Sequence, residues 1–257
     1  HLFGFFSVFT PEAVKKVTLF KSSFPARFGG RLSSVIDVRT NDGDMQKYHG
    51  TFSIGLLTSK INLEGPIIKG KTSFNISARR SYLDLLAKPF MPDDEKYSYY
   101  FYDMNAKINH KFSDRSRMFL SAYHGKDHFA ADYDGNTDFK DGSNMGWGNT
   151  IVSARWNYIF NNRLFSNTTV SYNNYLFDVN TYTNNQYSTG AGAIILNRYS
   201  SNYHSGITDW SYQIDFDYNP TPAHHIKFGT GYLFHRFQPD VTTSVISDKT
   251  DNRIDTV

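Results

Sequence analysis

The fold of this chain is decided by the stretch Phe24-Pro25-Ala26-Arg27-Phe28-Gly29-Gly30-Arg31-Leu32-Ser33-Ser34-Val35-Ile36-Asp37-Val38-Arg39-Thr40. Its glycine pair can adopt backbone conformations closed to other residues, or let another backbone come close. The β-branched residues that follow it favour a strand. Taken alone, this is a β-turn-β element of a kind also found in soluble domains, so its meaning depends on its surroundings.

The residues upstream of this stretch predict two short elements. Thr10 and Pro11 are typical of a helix start, with Thr10 as the cap and Pro11 at the first helical position. Residues 14–21 then predict a short strand.

Downstream, apolar and polar residues alternate from Tyr48 almost to the end of the chain. Because side chains in a strand switch faces at each residue, every alternating segment has one apolar and one polar face. Trp156 and Tyr158, for example, share a face that is opposite to Arg155 and Asn157. The pattern predicts about nine strands, in residues 48–56, 61–67, 74–79, 103–112, 118–122, 152–160, 164–176, 209–218 and 226–235.

The connections between these segments alternate in length. Short turns are predicted at residues 68–71, 113–116, 161–163 and 219–222, and long polar loops at 83–97, 128–146 and 183–206. Short turns on one side with long loops on the other are typical of outer-membrane β-barrels. The polar face carries Asp209, Asp215 and Asp217, which suit a water-filled lumen better than a core.

The composition favours a barrel over a soluble core. Hydrophobic residues make up only 39% of the 257 residues, whereas aromatic residues reach 17%. A transmembrane barrel needs one apolar face per strand and aromatic girdles. No apolar run approaches the roughly 20 residues of a membrane helix. The first residues lack a preceding basic region, so we do not interpret them as a signal peptide.

Several kinds of chemistry are excluded by the sequence. There is no cysteine, so disulfides and thiol chemistry are absent. The net charge of +3 comes without a basic stripe, which argues against nucleic acid as a partner. The chain carries no nucleophile elbow, phosphate loop or zinc signature. We therefore expect neither an enzyme nor a cofactor, and we interpret His224-His225 as surface residues beside a turn.

These features resemble the TonB-dependent outer-membrane transporters. The plug domain of that family closes with an aromatic-Gly step, a few small residues and a strand of the form Val-Ile-x-Val-x-Thr. Here those positions are Phe28-Gly29-Gly30, Ser33-Ser34 and residues 35–40. The resemblance implies an all-β chain: the C-terminal part of an α+β plug domain in residues 1–45, and the N-terminal part of a transmembrane antiparallel β-barrel in 46–257. Plugged barrels have about 22 strands, so nine strands imply part of a larger chain.

The resemblance also implies a function. Such a receptor binds a ligand outside the cell and imports it when a TonB energy-transducing protein pulls on the plug. Besides TonB, the implied partners are outer-membrane lipid and, since the plug end looks like that of Bacteroidota transporters, a surface lipoprotein lid. The TonB-contacting segment of the family lies upstream of His1. The alternatives are a structural barrel subunit of a larger outer-membrane assembly without transport activity, a passive porin or adhesin barrel, and a soluble β-rich enzyme.

The resemblance further suggests a plug–barrel latch. In the family, plug arginines commonly pair with glutamates of the barrel wall, so Arg27 or Arg31 would meet Glu64. The alternative, which we weigh evenly, is that Glu64 pairs with Arg79 on the neighbouring strand.

Aromatic residues of the loops are candidate ligand contacts. The set comprises Tyr97, Tyr99, Tyr100, Phe101, His128, Phe129, Tyr133 and Trp147. The alternative, which we prefer for most of them, is that residues 99–102 belong to the interfacial aromatic girdle.

One stretch resembles the first half of a calcium loop, with oxygen-bearing side chains at Asp132, Asp134, Asn136 and Asp138. The sixth position is Thr137 rather than glycine and the twelfth is Ser143 rather than glutamate. A solvated acidic loop is therefore the favoured interpretation, and we predict no metal site elsewhere.

Overall fold

A computed structural model describes residues 7, 9–21, 24–29, 33–136, 139–188 and 194–250. Its N-terminal part contains a two-stranded antiparallel hairpin, formed by β1 (Val14–Phe20) and β2 (Val35–Thr40). Short 3-10 helices precede each strand, at Pro11–Ala13 and Ala26–Phe28. The two predicted strands are confirmed, but Thr10 makes no side-chain cap. It is buried, and its hydroxyl lies 3.4 Å from that of Ser77.

The rest of the described chain forms one nine-stranded antiparallel sheet in which every strand pairs with its neighbour in sequence. A short helix α1 (Leu83–Ala87) and a 3-10 helix (Lys88–Phe90) lie between β5 and β6. The number of predicted strands is confirmed. The strands are β3 (His49–Ile54), β4 (Thr58–Ile68), β5 (Thr72–Ser81), β6 (Glu95–Lys111), β7 (Ser116–Asn136), β8 (Phe139–Asn161), β9 (Leu164–Ser188), β10 (Ile194–Thr221) and β11 (His224–Thr250).

The sheet is inside-out relative to a soluble protein. Its apolar face is exposed, with Phe52 68% and Trp210 53% accessible. Its polar face is buried where the N-terminal segment covers it, and Ser73, Asp103 and Asn109 are fully inaccessible. A soluble domain buries its apolar face, so this arrangement requires an apolar environment around the sheet. We call the polar face the inner wall. None of the helices in the described ranges combines the length and apolarity that crossing a membrane would need.

The long polar loops of the sequence prediction are mostly wrong. Residues 128–136 and 139–146 continue β7 and β8, and residues 183–188 and 194–206 continue β9 and β10. Antiparallel backbone hydrogen bonds form irrespective of side-chain polarity, and the Tyr and Thr residues of these stretches favour strands. Among the described residues of the three predicted loops, those outside the sheet are residues 83–94, between β5 and β6. We call the end of the sheet with the short turns the turn end, and the opposite end the extended end.

Candidate functional site: the interface between plug segment and inner wall

The described part of residues 9–44, which we call the plug segment because the sequence resemblance predicts a plug there, packs on the inner wall near the turn end. The centre of the contact is Asp42, which follows β2 and is 6% exposed. Its carboxylate lies 3.2 Å from Lys15 Nζ, 3.2 Å from Arg39 Nη2 and 2.7 Å from Lys107 Nζ. Its backbone carbonyl accepts a hydrogen bond of 2.8 Å from the Ser73 hydroxyl. One residue thus joins β1, β2, β5 and β6.

This environment determines the ionisation of Asp42. Burial would by itself raise the pKa of the carboxyl, but hydrogen bonds and charges from Lys107 and then Lys15 outweigh it and lower the pKa to about 2. Asp42 is therefore a carboxylate at neutral pH. Lys107 is equally buried, and it also donates to the backbone carbonyl and hydroxyl of Thr40, at 3.0 and 3.2 Å. Both buried charges are paired, as the cost of burying a charge requires.

Gly43 lets the chain cross the wall at close range. Its φ is +78°, a conformation that favours glycine, and a Cβ there would lie 2.2 Å from the Phe74 carbonyl oxygen on β5. A larger residue at this position would push the plug segment off the wall. The backbone of Gly43 is therefore part of the docking surface.

Three further contacts flank this centre. The Asn41 amide donates to Glu64 Oε2 at 2.7 Å. Glu12 forms an ion pair with Lys60 on β4. Burial would raise the pKa of Glu12, but the hydrogen bond from Lys60 reverses this effect and lowers it. Thr10 contacts Ser77 at 3.4 Å. The described interface thus contains several hydrogen bonds and ion pairs, together with an aromatic contact in which the Phe9 and Tyr123 ring centres are 6.0 Å apart.

The described latch candidates form neither of the two expected pairs, which were Glu64 with a plug arginine and Glu64 with Arg79. Glu64 does lie on the inner wall facing the plug segment, but it accepts hydrogen bonds from Asn41 and from Asn75, at 2.7 and 3.3 Å. Arg27 lies 3.8 Å from Asp37 within the hairpin. Its backbone carbonyl accepts a hydrogen bond from Gln213 on β10, and among the described residues its side chain pairs within the hairpin and not with Glu64. Arg31 lies outside the described residues.

Arg79 pairs with Asp103 instead of Glu64. Its Nε and Nη2 both lie 2.7 Å from Asp103 Oδ2, and both side chains are almost completely buried. Asp103 is directly opposite Arg79 in the register of β5 and β6. Arg79 Nη2 also donates to the Ser7 carbonyl at 2.7 Å, so this arginine does bind the N-terminal segment, through its backbone. Whether any of these residues acts as a latch stays a prediction.

Sequence reasoning missed Asp42 and Lys107. The Asn41-Asp42-Gly43-Asp44 run directly after the plug strand signals a turn, because Asn, Asp and Gly dominate turns. It does not reveal the partners of Asp42. Lys15, on the other strand of the hairpin, is 27 residues away in sequence, and Lys107 is 65 residues away. A lysine among small polar residues on the inner face of β6 was the available signal.

The aromatic ligand candidates divide between the two faces of the sheet. Tyr97 and Tyr99 share the inner face of β6 with Asp103 and Lys107, and Tyr99 is opposite Phe129 on β7. Tyr133 and Trp147 also lie on this inner face, where Trp147 is opposite Asp127 and Phe177. Tyr99 donates a hydrogen bond to Asp127, while Tyr97 and Tyr133 are 49% and 42% exposed. These four candidates, with Phe101 and Phe129, therefore share the inner face of the sheet.

Tyr100 and His128 lie on the outer face. They are directly opposite each other in the register, and their rings meet edge-to-face at 4.9 Å. Arg80 lies 5.1 Å above the Tyr100 ring. Of residues 99–102, Tyr100 and Tyr102 thus have the position of girdle residues, whereas Tyr99 and Phe101 do not.

The calcium candidate lies in a strand rather than a loop. Asp132, Asp134 and Asn136 belong to the end of β7, and Asp138 lies outside the described residues. Asp132 accepts a hydrogen bond from Tyr182 at 3.0 Å, and Asp134 lies 3.1 Å from Lys140. A calcium loop wraps its oxygens around the ion. Within the described ranges, no group of three His, Asp or Glu side chains is placed to hold a metal ion.

No known protein-family model matches the chain, and no curated protein matches it in sequence. The chain is similar to solved bacterial receptors. The siderophore receptor PirA of Acinetobacter baumannii is 10% identical with a TM-score of 0.38, and the alignment covers 90% of this chain and 46% of PirA.

Two other receptors give similar values. A mutant of the ferric enterobactin receptor PfeA of Pseudomonas aeruginosa is 8% identical with a TM-score of 0.37, covering 89% of this chain and 46% of PfeA. The ferric yersiniabactin uptake receptor FyuA of Yersinia pestis is 13% identical with a TM-score of 0.34, covering 92% and 49%. The chain spans slightly less than half the length of each receptor. The roles of individual residues here rest on the geometry of this chain itself.

Proposed function

We propose that this chain is part of a TonB-dependent outer-membrane receptor, which imports a ligand by energy-coupled movement of its plug. The observation that carries the proposal is the docking of the plug segment, through the buried Asp42–Lys107 pair, onto the inner wall of an inside-out sheet. The exposed apolar face suits lipid, and the polar inner face suits a lumen.

The chemistry of the interface suits a part that must be held and also released. Thr10–Ser77, Asn41–Glu64 and Asp42–Lys107 are polar contacts whose groups water can satisfy when they separate. An apolar interface of the same extent would resist movement, because each separated surface would be exposed to water. The polar plug contact therefore supports gating rather than permanent closure.

The extended end of the sheet is the proposed ligand side. Barrels of this kind carry short turns in the periplasm and long connections outside the cell, so the extended strands would lie outside. Their inner face presents Tyr97, Tyr99, Tyr133 and Trp147, large side chains with little conformational entropy to lose on binding. A surface lipoprotein lid would act at this end, and TonB would act from the turn end.

A disulfide across the interface tests the proposal. Thr10→Cys with Ser77→Cys would join the plug segment to the wall, since the two hydroxyl oxygens are 3.4 Å apart. Ser171→Cys with Ser211→Cys is the matched control, because those hydroxyls are 2.6 Å apart within the wall. Each pair replaces the native protein in cells grown on limiting ferric chelates, oligosaccharides or peptides.

If the protein imports a ligand, oxidation of the Thr10→Cys/Ser77→Cys pair should abolish uptake of one nutrient class, and a reductant should restore it. Oxidation of the control pair should have no effect on uptake. The structural-subunit alternative predicts a different result. Deletion would then disrupt an outer-membrane assembly, while the oxidised Thr10–Ser77 variant would grow normally on every nutrient.

A further inference from the structure

A cavity of about 390 Å³ with a mixed polar and apolar lining lies between the plug segment and the inner wall. Its volume is within the range of small-molecule sites. Its lining comes from both sides, with Arg39 and Thr40 of β2 facing β6 to β10 of the wall. Nothing in the polar contacts between plug segment and wall requires a space of this size.

The charges that line the cavity are unequal. Arg27, Arg39, Lys107 and Arg155 are its cations, and Asp37 and Asp215 its anions. Arg27 lies beside Asp37, and Asp42 takes both Arg39 and Lys107. Arg155, on β8, forms no ion pair with any acid of the described residues. The Arg155 guanidinium therefore has no carboxylate in direct contact among the described residues, although the charges of Asp42 and Asp37 act on it from further away.

The surroundings of Arg155 are unusual for a charged side chain. Its guanidinium lies 4.6 Å from the centre of the buried Phe119 ring, and its Nε is inaccessible to water and has no hydrogen-bond partner among the described residues. Lys107 lies 5.3 Å from the same ring, so a second cation faces the same place. An unpaired buried donor on a charged group is costly unless a ligand satisfies it.

The nearest acid on the wall does not fill this place. Asp215 lies on β10, two strands away from Arg155, which is about 10 Å across a sheet. Gln213 donates to both Asp215 oxygens at 3.1 Å. The lining near Arg155 also offers neutral hydrogen-bonding groups, namely Ser121, Ser153, Asn167 and Thr169.

We propose that the cavity binds a small oxyanion, of the phosphate or carboxylate class, between Arg155 of the wall and Arg39 of the plug hairpin. A planar guanidinium binds such anions through two parallel hydrogen bonds. The bound anion would hold plug segment and wall together, because it would bridge a guanidinium of each side. The inference rests on the cavity and its charges and does not depend on transport.

Calorimetric titration of inorganic phosphate into the intact protein in detergent, with chloride keeping the ionic strength constant, tests the proposal. We expect saturable binding that Arg155→Gln weakens about tenfold or more, the effect of losing a charge-assisted hydrogen bond. Arg155→Lys keeps the charge without the planar fork and should weaken binding less. Arg163→Gln, in the exposed turn between β8 and β9, should leave binding unchanged.

Heat-dependent gel mobility shows whether each variant is folded. The proposal is overturned if the folded wild-type protein shows no saturable phosphate binding, as would happen if an acidic side chain from elsewhere already neutralises Arg155. It is equally overturned if folded Arg155→Gln binds phosphate as tightly as the wild type does.

Discussion

Asp42 connects four strands through one side chain and one carbonyl, and Asp42→Asn therefore makes the sharpest test at the scale of the residue. The variant leaves Lys107 buried without a counter-charge. We expect the free energy of unfolding to fall by about 3 kcal/mol, the low end for breaking a buried ion pair, because Lys15 and Arg39 are half exposed. Urea unfolding in detergent measures this, with the exposed Asp114→Asn as control. An unchanged midpoint would contradict the role of Asp42.

The low pKa of Asp42 predicts a pH dependence. The pKa falls from an ordinary 3.8 to about 2, so the contribution is complete above pH 4 and is lost as the pH falls towards 2. This contribution of the Asp42 carboxylate to the free energy of unfolding is about 2 kcal/mol. Unfolding midpoints between pH 5 and pH 2 should decline more in the wild type than in Asp42→Asn. Parallel curves for the two proteins would show that the carboxylate titrates normally.

Gly43→Ala tests the close approach of the plug segment to the wall. The positive φ alone should cost about 1–3 kcal/mol, and the clash with the Phe74 carbonyl adds to it. Hydrogen exchange should show faster exchange in residues 36–44. Gly146→Ala, whose added methyl group would meet neighbours only at 3.7 Å and beyond, is the matched control and should exchange like the wild type.

Asp42 and Gly43 also show where prediction from sequence stops at this scale. The turn they form could be predicted from their residue types. Their partners could not, because Lys107 and Phe74 reach them through the packing of distant strands. The expected Glu64–Arg79 pair could not be tested from sequence either. Arg79 instead pairs with Asp103, the residue opposite it in the register of β5 and β6.

At the scale of the element, we expect the outer face of β7 to pass from lipid to water along its length. Leu120 and Asp132 both point outward, but Leu120 belongs to the apolar band and Asp132 lies 12 residues further along the strand, roughly 40 Å away. The apolar band of such barrels is about 25 Å tall. The chain has no cysteine, so single cysteines can be labelled cleanly.

A nitroxide on Leu120→Cys should collide with oxygen in the lipid and not with a water-soluble nickel complex. On Asp132→Cys the preference should reverse, and on the inward Ser121→Cys oxygen should have little effect. Accessibility measured by electron paramagnetic resonance in lipid vesicles gives all three values. Equal oxygen accessibility at Leu120 and Ser121 would contradict the assigned faces.

The strands also show what alternation can predict. All nine strand cores follow from it, because one face of each must be apolar. The ends of β7 to β10 do not, since beyond the apolar band the outer face becomes polar, as at His124 and Lys126, and the inner face becomes aromatic, as at Phe129 and Trp147. Beyond the apolar band, polar residues therefore lie outward and aromatic residues inward, so the alternation that predicts the strand cores no longer marks the strand ends.

At the scale of the whole molecule, the central feature is the plug segment lying against the inner wall. The contacts that place it there come from both ends of the segment, at Thr10 and at Asp42. A hairpin packed on the apolar face instead would leave the buried polar row of β5 and β6, including Ser73 and Asn109, without cover.

The measurement that tests this claim most directly is the yield of disulfide in isolated outer membranes for two cysteine pairs. Thr10→Cys with Ser77→Cys places both sulfurs at the interface, and Thr10→Cys with Ala78→Cys moves the second sulfur to the outer face of the same strand. We expect nearly complete cross-linking of the first pair and little of the second. Equal yields, or a higher yield for Ala78, would contradict this placement of the plug segment.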